Sequence, residues 1–492
     1  MPDVVIETID ATWSRLRASP DVRRGVFDLL TLEVPGARFM PAFKSGWDGK
    51  VRLLDANTNK FYSGLVPDVV EWCTANDFSC DVIPSENEPE KIEVSFEEVK
   101  NFIENFTNGE PREYQVSAVR DMVTKGKGLV LAPPNAGKTF MMFLAERLIR
   151  IKSKRKGKTL VIVPKVSLVK QLSRQFEEYG YEDEIHQIPS KKGKDVSGSD
   201  LVVTTWQSVY KQPKDWFDQF DLVFGDEAHE FASKCTQEAV SKMGNAWRRF
   251  GLTGSLSDSK ISELTLRGLF GAIVETKKTS EMIELGYSTP MKVQIVIFEW
   301  PDEARAVFGK GKDYAAEYEY LIFNSRRNKF ITDLALDLEG NTVVLFRRIE
   351  HGEKLMEAIS KRAGSVPVYL VHGGTLAEER DEIYKKISSH DKSVVIASEG
   401  TTSTGIDIPN IHDIIRASPL KSKTRNLQII GRGLRTHESK VEWTMWDLAD
   451  DMCLKSKRGS QKKNITYRHL ENRMQIYVEE GHEYEITRIK LS

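Results

Sequence analysis

The chain is poor in cysteine, has no long apolar run and carries almost no net charge. Four cysteines in 492 residues are too few for a disulfide scaffold. Cys73 and Cys80 have six residues between them, Cys235 and Cys453 stand alone, and no pair has zinc-ligand spacing. Reduced, buried thiols are the expectation. No stretch approaches the roughly 18 apolar residues of a membrane-spanning helix. The start, MPDVVIETID, lacks a basic segment followed by an apolar run, so neither a span nor a signal peptide is expected. Lys and Arg number 71 against 72 Asp and Glu, a net charge of -1. That balance removes any global signature of a nucleic-acid binder, although local patches set the field that a phosphate backbone meets.

The composition is globular, with 40% hydrophobic and 29% charged residues. At about 100–200 residues per domain, the length calls for three or so domains. Residues 1–83 read as a small α+β accessory domain, with strands at Val4–Ile6 and Val51–Leu54 and a helix through Gly64–Asn76. Within it, Arg38-Phe-Met-Pro-Ala-Phe-Lys-Ser-Gly-Trp-Asp-Gly-Lys-Val-Arg52 sets Arg38, Lys44, Lys50 and Arg52 around Phe39, Phe43 and Trp47. Basic residues among aromatics suit backbone neutralisation plus base stacking. A small core with lysines on its surface accounts for the pattern equally well. Of this set, Trp47 with Lys44, Lys50 and Arg52 are the candidate nucleic-acid contacts. Asp48-Gly49 is a hairpin-turn signal.

Residues 84–94 read as a linker, after which Ser95 and Glu98 form a capping box for a helix. Apolar runs at Gly128–Leu131, Thr159–Val163, Leu201–Val203, Leu222–Phe224 and Phe250–Leu252 alternate with helical patterns. A second set runs through Thr342–Phe346, Pro367–Val371, Ser393–Ala397, Asp413–Ile415 and Trp443–Trp446. Continuous rather than alternating strands imply parallel sheets with helices on both faces. The expected architecture is therefore two tandem α/β domains, 95–275 and 331–454, joined by a linking region 276–330. Residues 455–492 form a tail or a small subdomain, or their alternating segment Tyr484–Leu491 is a strand added elsewhere.

The sequence Ala132-Pro-Pro-Asn-Ala-Gly-Lys-Thr139 follows a strand and opens a helix, the context of a Walker A loop. Pro134, Asn135, Ala136 and Gly137 form the candidate nucleotide-binding loop, in which the backbone N–H groups of the residues after the proline would hold the phosphates. Lys138 would neutralise the β/γ oxygens, and the Thr139 hydroxyl would coordinate Mg²⁺. Ala132 stands where a strict motif has glycine. Asp226-Glu-Ala-His229 ends an apolar strand 88 residues after Lys138. There Asp226 can hold Mg²⁺ through water, and Glu227 can orient and deprotonate an attacking water. Arg112 and Gln115 precede the first strand, and a Gln amide can read an adenine edge. Gln428, Arg432 and Arg435 fall on one helical side, where the arginines can stabilise charge on a γ-phosphate. Gly431 and Gly433 lower helix propensity there without apparent structural return.

Taken in order, these motifs resemble the superfamily 2 helicases, specifically DEAH-box members with two RecA-like P-loop domains, over roughly residues 95–450. Arg38–Asp55, with its Gly46-Trp47-Asp48-Gly49 core, is similar to the accessory domain of UvsW-like phage recombination helicases. The resemblance implies ATP and Mg²⁺ as cofactors and coupling of hydrolysis to movement through Thr253, Ser255 and His229. It implies contacts to a tracking strand from Pro164, Lys165, Thr204 and Thr205, and from Arg347, His372, Gly373, Thr401, Thr402, Ser403 and Thr404. Gly405 and Asp407 would join the ATP side. The implied activity is ATP-dependent remodelling of branched nucleic acids by fork regression, Holliday junction migration and R-loop unwinding. The implied partners are branched DNA, single-stranded DNA, RNA–DNA hybrids, and phage recombination and single-strand-binding proteins. A monomer in the cytoplasm of an infected bacterium, with no membrane, is expected. The alternative is a translocase subunit of a restriction-type system, which needs a nuclease centre after residue 450. Asp450-Asp451 with Lys455 offers acids and a lysine but no separated upstream acid.

Overall fold

The computed structural model describes residues 2–491 except 107–110, 154–156, 190–192, 257–258, 312, 402–407, 409, 420 and 456–460. It divides into two compact units, Met1–Pro133 with Gly137–Lys277, and Lys278–Ser492 with Pro134–Ala136.

The first unit begins with a four-stranded sheet in the order Lys60–Tyr62, Trp13–Ala18, Val4–Thr8, Cys80–Ile83. Val4 and Ile6 alternate inward to meet Leu16, Phe61 and helix residues Val26, Val69 and Cys73. Pro20 opens the helix Pro20–Leu29, and Pro67 sits in the first turn of Val66–Ala75, both sites where a missing N–H costs nothing. Asp48-Gly49 does not make a hairpin. Thr31–Glu33 pairs with Lys50–Arg52 across the whole of 34–49, which holds a 3₁₀ turn Ala37–Phe39 and a helical turn Pro41–Lys44. Pro41 sets the helical turn, and Gly46 and Gly49, at φ 97° and 79°, bring the chain back.

A seven-stranded parallel sheet follows among the described residues. Its order is Ile273–Glu275, Lys127–Leu131, Arg248–Thr253, Phe220–Asp226, Lys158–Val163, Leu201–Thr205, Ile185–Ile188. Its central strands are buried on both faces, which is why they read as continuous apolar runs. The two edge strands escaped sequence reading because they are short and carry His186, Gln187 and Glu275. Ser95 caps Phe96–Glu104 by accepting from the Glu98 N–H at 3.1 Å, but the Glu98 carboxylate pairs with Lys152, so only half of the capping box forms.

The accessory sheet and the motor sheet share one apolar core, in which Leu65 and Val69 meet Leu266, Leu269 and Phe270. Polar groups reinforce the seam. Arg249, wholly buried, donates from Nη2 to Thr12 Oγ1 (3.0 Å) and Met243 O (2.6 Å) and from Nη1 to Leu269 O (3.3 Å). Lys127 Nζ donates to Ala11 O at 2.8 Å, and Arg267 pairs with Asp68 at 2.6 Å. Each carbonyl left unpaired in the core by removing Arg249 costs about 1–3 kcal/mol.

The second unit carries another seven-stranded parallel sheet among the described residues. Its order is Val368–Val371, Ser393–Ser398, Asn341–Phe346, Ile411–Arg416, Trp443–Asp451, Met291–Glu299, Tyr484–Lys490. One sequence expectation changes here, and one open alternative is decided. The stretch 276–330, read as a linking region, supplies the nine-residue strand Met291–Glu299. The alternating carboxyl end, left open between a small subdomain and an added strand, is the edge strand beside it. Helix Ile465–Glu479 packs beneath, where Arg473 and the Tyr477 hydroxyl donate to buried Asp447 at 2.8 Å. Cys73 and Cys453 are buried, and burial pushes both thiols up to about 12. Cys235 is exposed, against expectation. No helix among the described residues is long and apolar enough to cross a membrane.

Candidate active site

Strand Lys127–Leu131 delivers the chain to the carboxyl edge of the first sheet, where α/β proteins bind ligands. Ala132 is wholly buried and its N–H donates to Thr253 O at 3.0 Å. A methyl group is thus accommodated where the strict motif has glycine. The loop turns through left-handed Asn135 and Gly137, at φ 65° and 79°, and helix Lys138–Lys152 starts immediately. Its free first-turn N–H groups and positive dipole end suit phosphate. Lys138 Nζ reaches back to Ala132 O at 3.2 Å. Gln115 is buried against the loop: a Cβ on Gly137 would stand 2.6 Å from its Nε2. Arg112 precedes helix Glu113–Lys125 and donates from Nη1 to Tyr114 Oη at 3.1 Å.

Strand Phe220–Asp226 lies mid-sheet and places the acids at the same edge. Burial, and then the negative charge of Glu227, raise the Asp226 carboxyl above its ordinary range, while Lys138 opposes the shift. A carboxylate disfavoured in this way is one that a divalent cation would restore to its charged form. With Thr139 at the helix start, the donors fit Mg²⁺, which takes few protein oxygens and completes its shell with phosphate and water.

Glu227 is a non-glycine residue in the left-handed region (φ 49°, ψ 54°), a conformation that costs roughly 1–2 kcal/mol. The turn aims His229 back: its Nδ1 lies 3.4 Å from Glu227 Oε2 and 3.0 Å from Thr253 Oγ1. Thr253 Oγ1 donates its one proton to Ser255 O at 2.9 Å, so toward His229 it accepts. His229 therefore carries its proton on Nδ1. Glu227, His229, Thr253 and Ser255 form one connected chain from the end of one strand to the end of the next.

The expected nucleic-acid residues are not placed alike. Lys165 is exposed at the head of helix Val166–Glu178, and Pro164 is buried. Thr204 and Thr205 are also buried, the Thr204 hydroxyl donating to Thr205 O (3.3 Å) and the Thr205 hydroxyl lying 2.9 Å from Ser208 Oγ. In the second unit Arg347 follows Asn341–Phe346 and donates to Tyr314 Oη at 3.2 Å. The Gly374 N–H closes a turn onto His372 Nδ1 at 3.1 Å, leaving Gly373 exposed. Thr401 is buried and donates to Ser398 O at 2.8 Å. Thr402, Ser403, Thr404, Gly405 and Asp407 lie outside the described residues.

Gln428 sits on helix Lys423–Gly433, and Arg435 follows it, with burial lowering the guanidinium below its usual value. The side chain of Arg432 lies outside the described residues. Gly433 has the structural reason that sequence reading denied it: a Cβ there would stand 2.4 Å from the Trp443 ring.

In the accessory sheet Trp47 is half-buried and its indole N–H donates to Lys50 O at 2.9 Å. Arg52 pairs with Asp48, Lys50 lies 3.7 Å from Glu33, and Lys44 is exposed. The most exposed aromatic of the segment is Phe39, at 83%. Its position between Gly36 and Pro41 was the available signal for a presented tip. The nuclease alternative finds no support at Asp450. That carboxylate is wholly buried and accepts from Trp300 Nε1 (3.0 Å) and Arg327 Nε (3.1 Å).

Three family profiles match the chain: DNA helicase UvsW, N-terminal, over residues 3–82; type III restriction enzyme, res subunit, over 108–258; and helicase conserved C-terminal domain over 326–437. The ATP-dependent DNA helicase uvsW of Enterobacteria phage T4 is 33% identical over 99% of this chain and 100% of its own length. The crystal structure of T4 UvsW superposes with a TM-score of 0.51 at 31% identity, covering all of both chains. A putative HsdR subunit fragment of a type I restriction enzyme from Vibrio vulnificus shares the fold, with a TM-score of 0.59 at 19% identity over 81% of this chain and 72% of that one. With the Walker loop, the DEAH turn and the accessory sheet all in place, and near-complete coverage at this identity, the chain belongs to the UvsW family of superfamily 2 helicases.

Proposed function

We propose that the chain is an ATP-driven DNA motor that remodels branched nucleic acids: regressing forks, migrating Holliday junctions and removing RNA from R-loops. Its setting would be phage recombination, repair and replication in the cytoplasm of an infected bacterium. The observation that carries the reading is the hydrogen-bonded chain His229–Thr253–Ser255, with Glu227 Oε2 3.4 Å from His229 Nδ1. It supports a machine that senses hydrolysis rather than a nucleotide-binding scaffold.

Lys138 would swing from Ala132 O to the β/γ oxygens. Thr139 and Asp226 would hold Mg²⁺, which neutralises charge on the phosphates when bound. Glu227 would take the proton of the attacking water, and the change at its carboxylate is relayed through His229 to Thr253. Gln428, Arg432 and Arg435 of the second unit are assigned to the charge that builds on the γ-phosphate. Lys165, Arg347, His372 and Gly373 are assigned to the tracked backbone, which implies little base specificity.

The test compares ATPase rates and product formation with no DNA, single strands, forks, four-way junctions and R-loops. Glu227→Gln, the chemistry control, should lower turnover by roughly 10²–10⁴-fold. Equal stimulation by single strands and junctions, with no remodelled product, would refute the branched-DNA reading and favour a simple translocase.

A further inference from the structure

The stretch Val34–Trp47 contains no acidic residue, only Arg38 and Lys44 as charges, and it projects the apolar side chains of Phe39, Met40 and Phe43. These are 83%, 42% and 40% exposed. So much apolar surface at one tip marks a place of interaction.

The tip is also rigid. The 3₁₀ turn closes through Phe39 N–H to Gly36 O (2.9 Å) and Met40 N–H to Ala37 O (2.8 Å). Phe43 N–H bonds to Met40 O at 3.1 Å, and Trp47 N–H returns to Ala42 O at 3.1 Å. Below, Val34 N–H bonds to Gly49 O at 2.8 Å, and Gly49 presses so closely on Ala37 that a Cβ would stand 2.8 Å from the alanine methyl. The Trp47 indole locks onto Lys50 O. An exposed ring on a pre-set frame loses little entropy when it is covered.

The occupant must offer a flat apolar face with negative charge on either side of it. An uninterrupted duplex hides the faces of its base pairs. The last base pair at a branch point exposes one, with phosphates of the two parting strands beside it. We propose that Phe39 is the wedge that stacks on the terminal base pair at a DNA branch point. Met40 and Phe43 form its apolar shoulder, and Arg38 and Lys44 meet the flanking phosphates. Trp47 is then the brace of the wedge and not its stacking surface. The inference rests on the branched-DNA reading above and names the element that would recognise the branch. Because the accessory sheet shares its core with the first motor sheet, the wedge is carried by the motor itself.

The experiment uses the full chain without nucleotide and synthetic forks bearing 2-aminopurine in the terminal base pair of the branch. A second set of forks carries the probe well inside the duplex arm. The wild-type protein should change the fluorescence of the branch probe and not that of the internal one. Phe39→Ala should lose that signal and weaken fork binding, relative to single strands, by roughly 5- to 150-fold, the range for base–aromatic stacking. Phe39→Trp should keep both. An unchanged melting temperature will show that the exposed substitution leaves the fold intact. Phe39→Ala with wild-type fork affinity and probe signal overturns the proposal. So does an equal loss of affinity for an uninterrupted duplex of the same length, measured beside the forks. A wild-type chain that gives the branch signal yet remodels nothing with ATP refutes the proposed function and leaves the wedge standing.

Discussion

Gly64→Ala adds one methyl group at the tightest point of the seam between the accessory sheet and the first motor sheet. A Cβ at Gly64 would lie 2.1 Å from Arg267 O and 2.6 and 2.9 Å from Gly268 O and C, all backbone atoms. No side chain can swing aside. The two backbones must separate by more than 1 Å to restore an ordinary separation of about 3.4 Å. The partner surface is equally tight, since a Cβ on Gly268 would meet the Tyr62 ring at 2.9 Å. Overpacking of this kind costs about 1–3 kcal/mol. The displacement also stretches the Arg267–Asp68 pair and the shared core around Leu65 and Leu269. At roughly 2–4 °C per kcal/mol for a unit of this size, the melting temperature should fall by about 2–12 °C. If the accessory sheet serves only branched substrates, single-strand-stimulated ATPase should survive at permissive temperature while fork regression drops. The assays are scanning calorimetry and parallel ATPase and fork-regression time courses. A melting temperature within 1 °C of wild type, or equal loss of both activities, would refute the claim that this seam positions the accessory sheet for branched DNA.

Thr253→Val keeps the shape of the side chain but removes the acceptor for His229 and the donor to Ser255 O. ATP turnover should fall less than strand remodelling, so remodelled product per ATP drops, and an unchanged ratio in coupled assays would contradict the relay. Burial, together with the charge of Arg249, lowers the Lys127 ammonium to about 7 from its ordinary 10.5. Here the unfolded chain binds more protons between about pH 7 and 10, so this cost is greatest below pH 7 and relieved as pH rises. Lys127→Met should therefore raise stability most at pH 7 and progressively less toward pH 10, as read by urea unfolding across that range. A difference that does not vary with pH would show that the lysine is not forced toward neutrality by the fold.

Much of the motor was legible because its signals are local. Central parallel strands are covered on both faces, so Thr159–Val163 and Leu201–Val203 announce themselves as unbroken apolar runs. A phosphate loop needs its lysine and inner glycine adjacent in sequence, and Asp226-Glu-Ala-His229 needs only the end of a strand. These features specify sheet, edge and chemistry without reference to distant residues.

The remainder depended on which parts of the chain meet. Met291–Glu299 and Tyr484–Lys490 pair across almost two hundred residues, and the outer strand alternates because only part of it is covered. The apparent idleness of Gly433 vanished once Trp443 was seen against it. Among three aromatics in one segment, composition suggested Trp47, whereas the turn geometry withdrew its indole and presented Phe39. Local pattern determined that this chain builds two parallel-sheet units and sets a Walker-type loop and an acidic turn at strand ends, where the proposed phosphate and magnesium chemistry would lie. Tertiary structure alone decided which side chains reach the surface, because exposure follows from packing between distant segments and not from residue type.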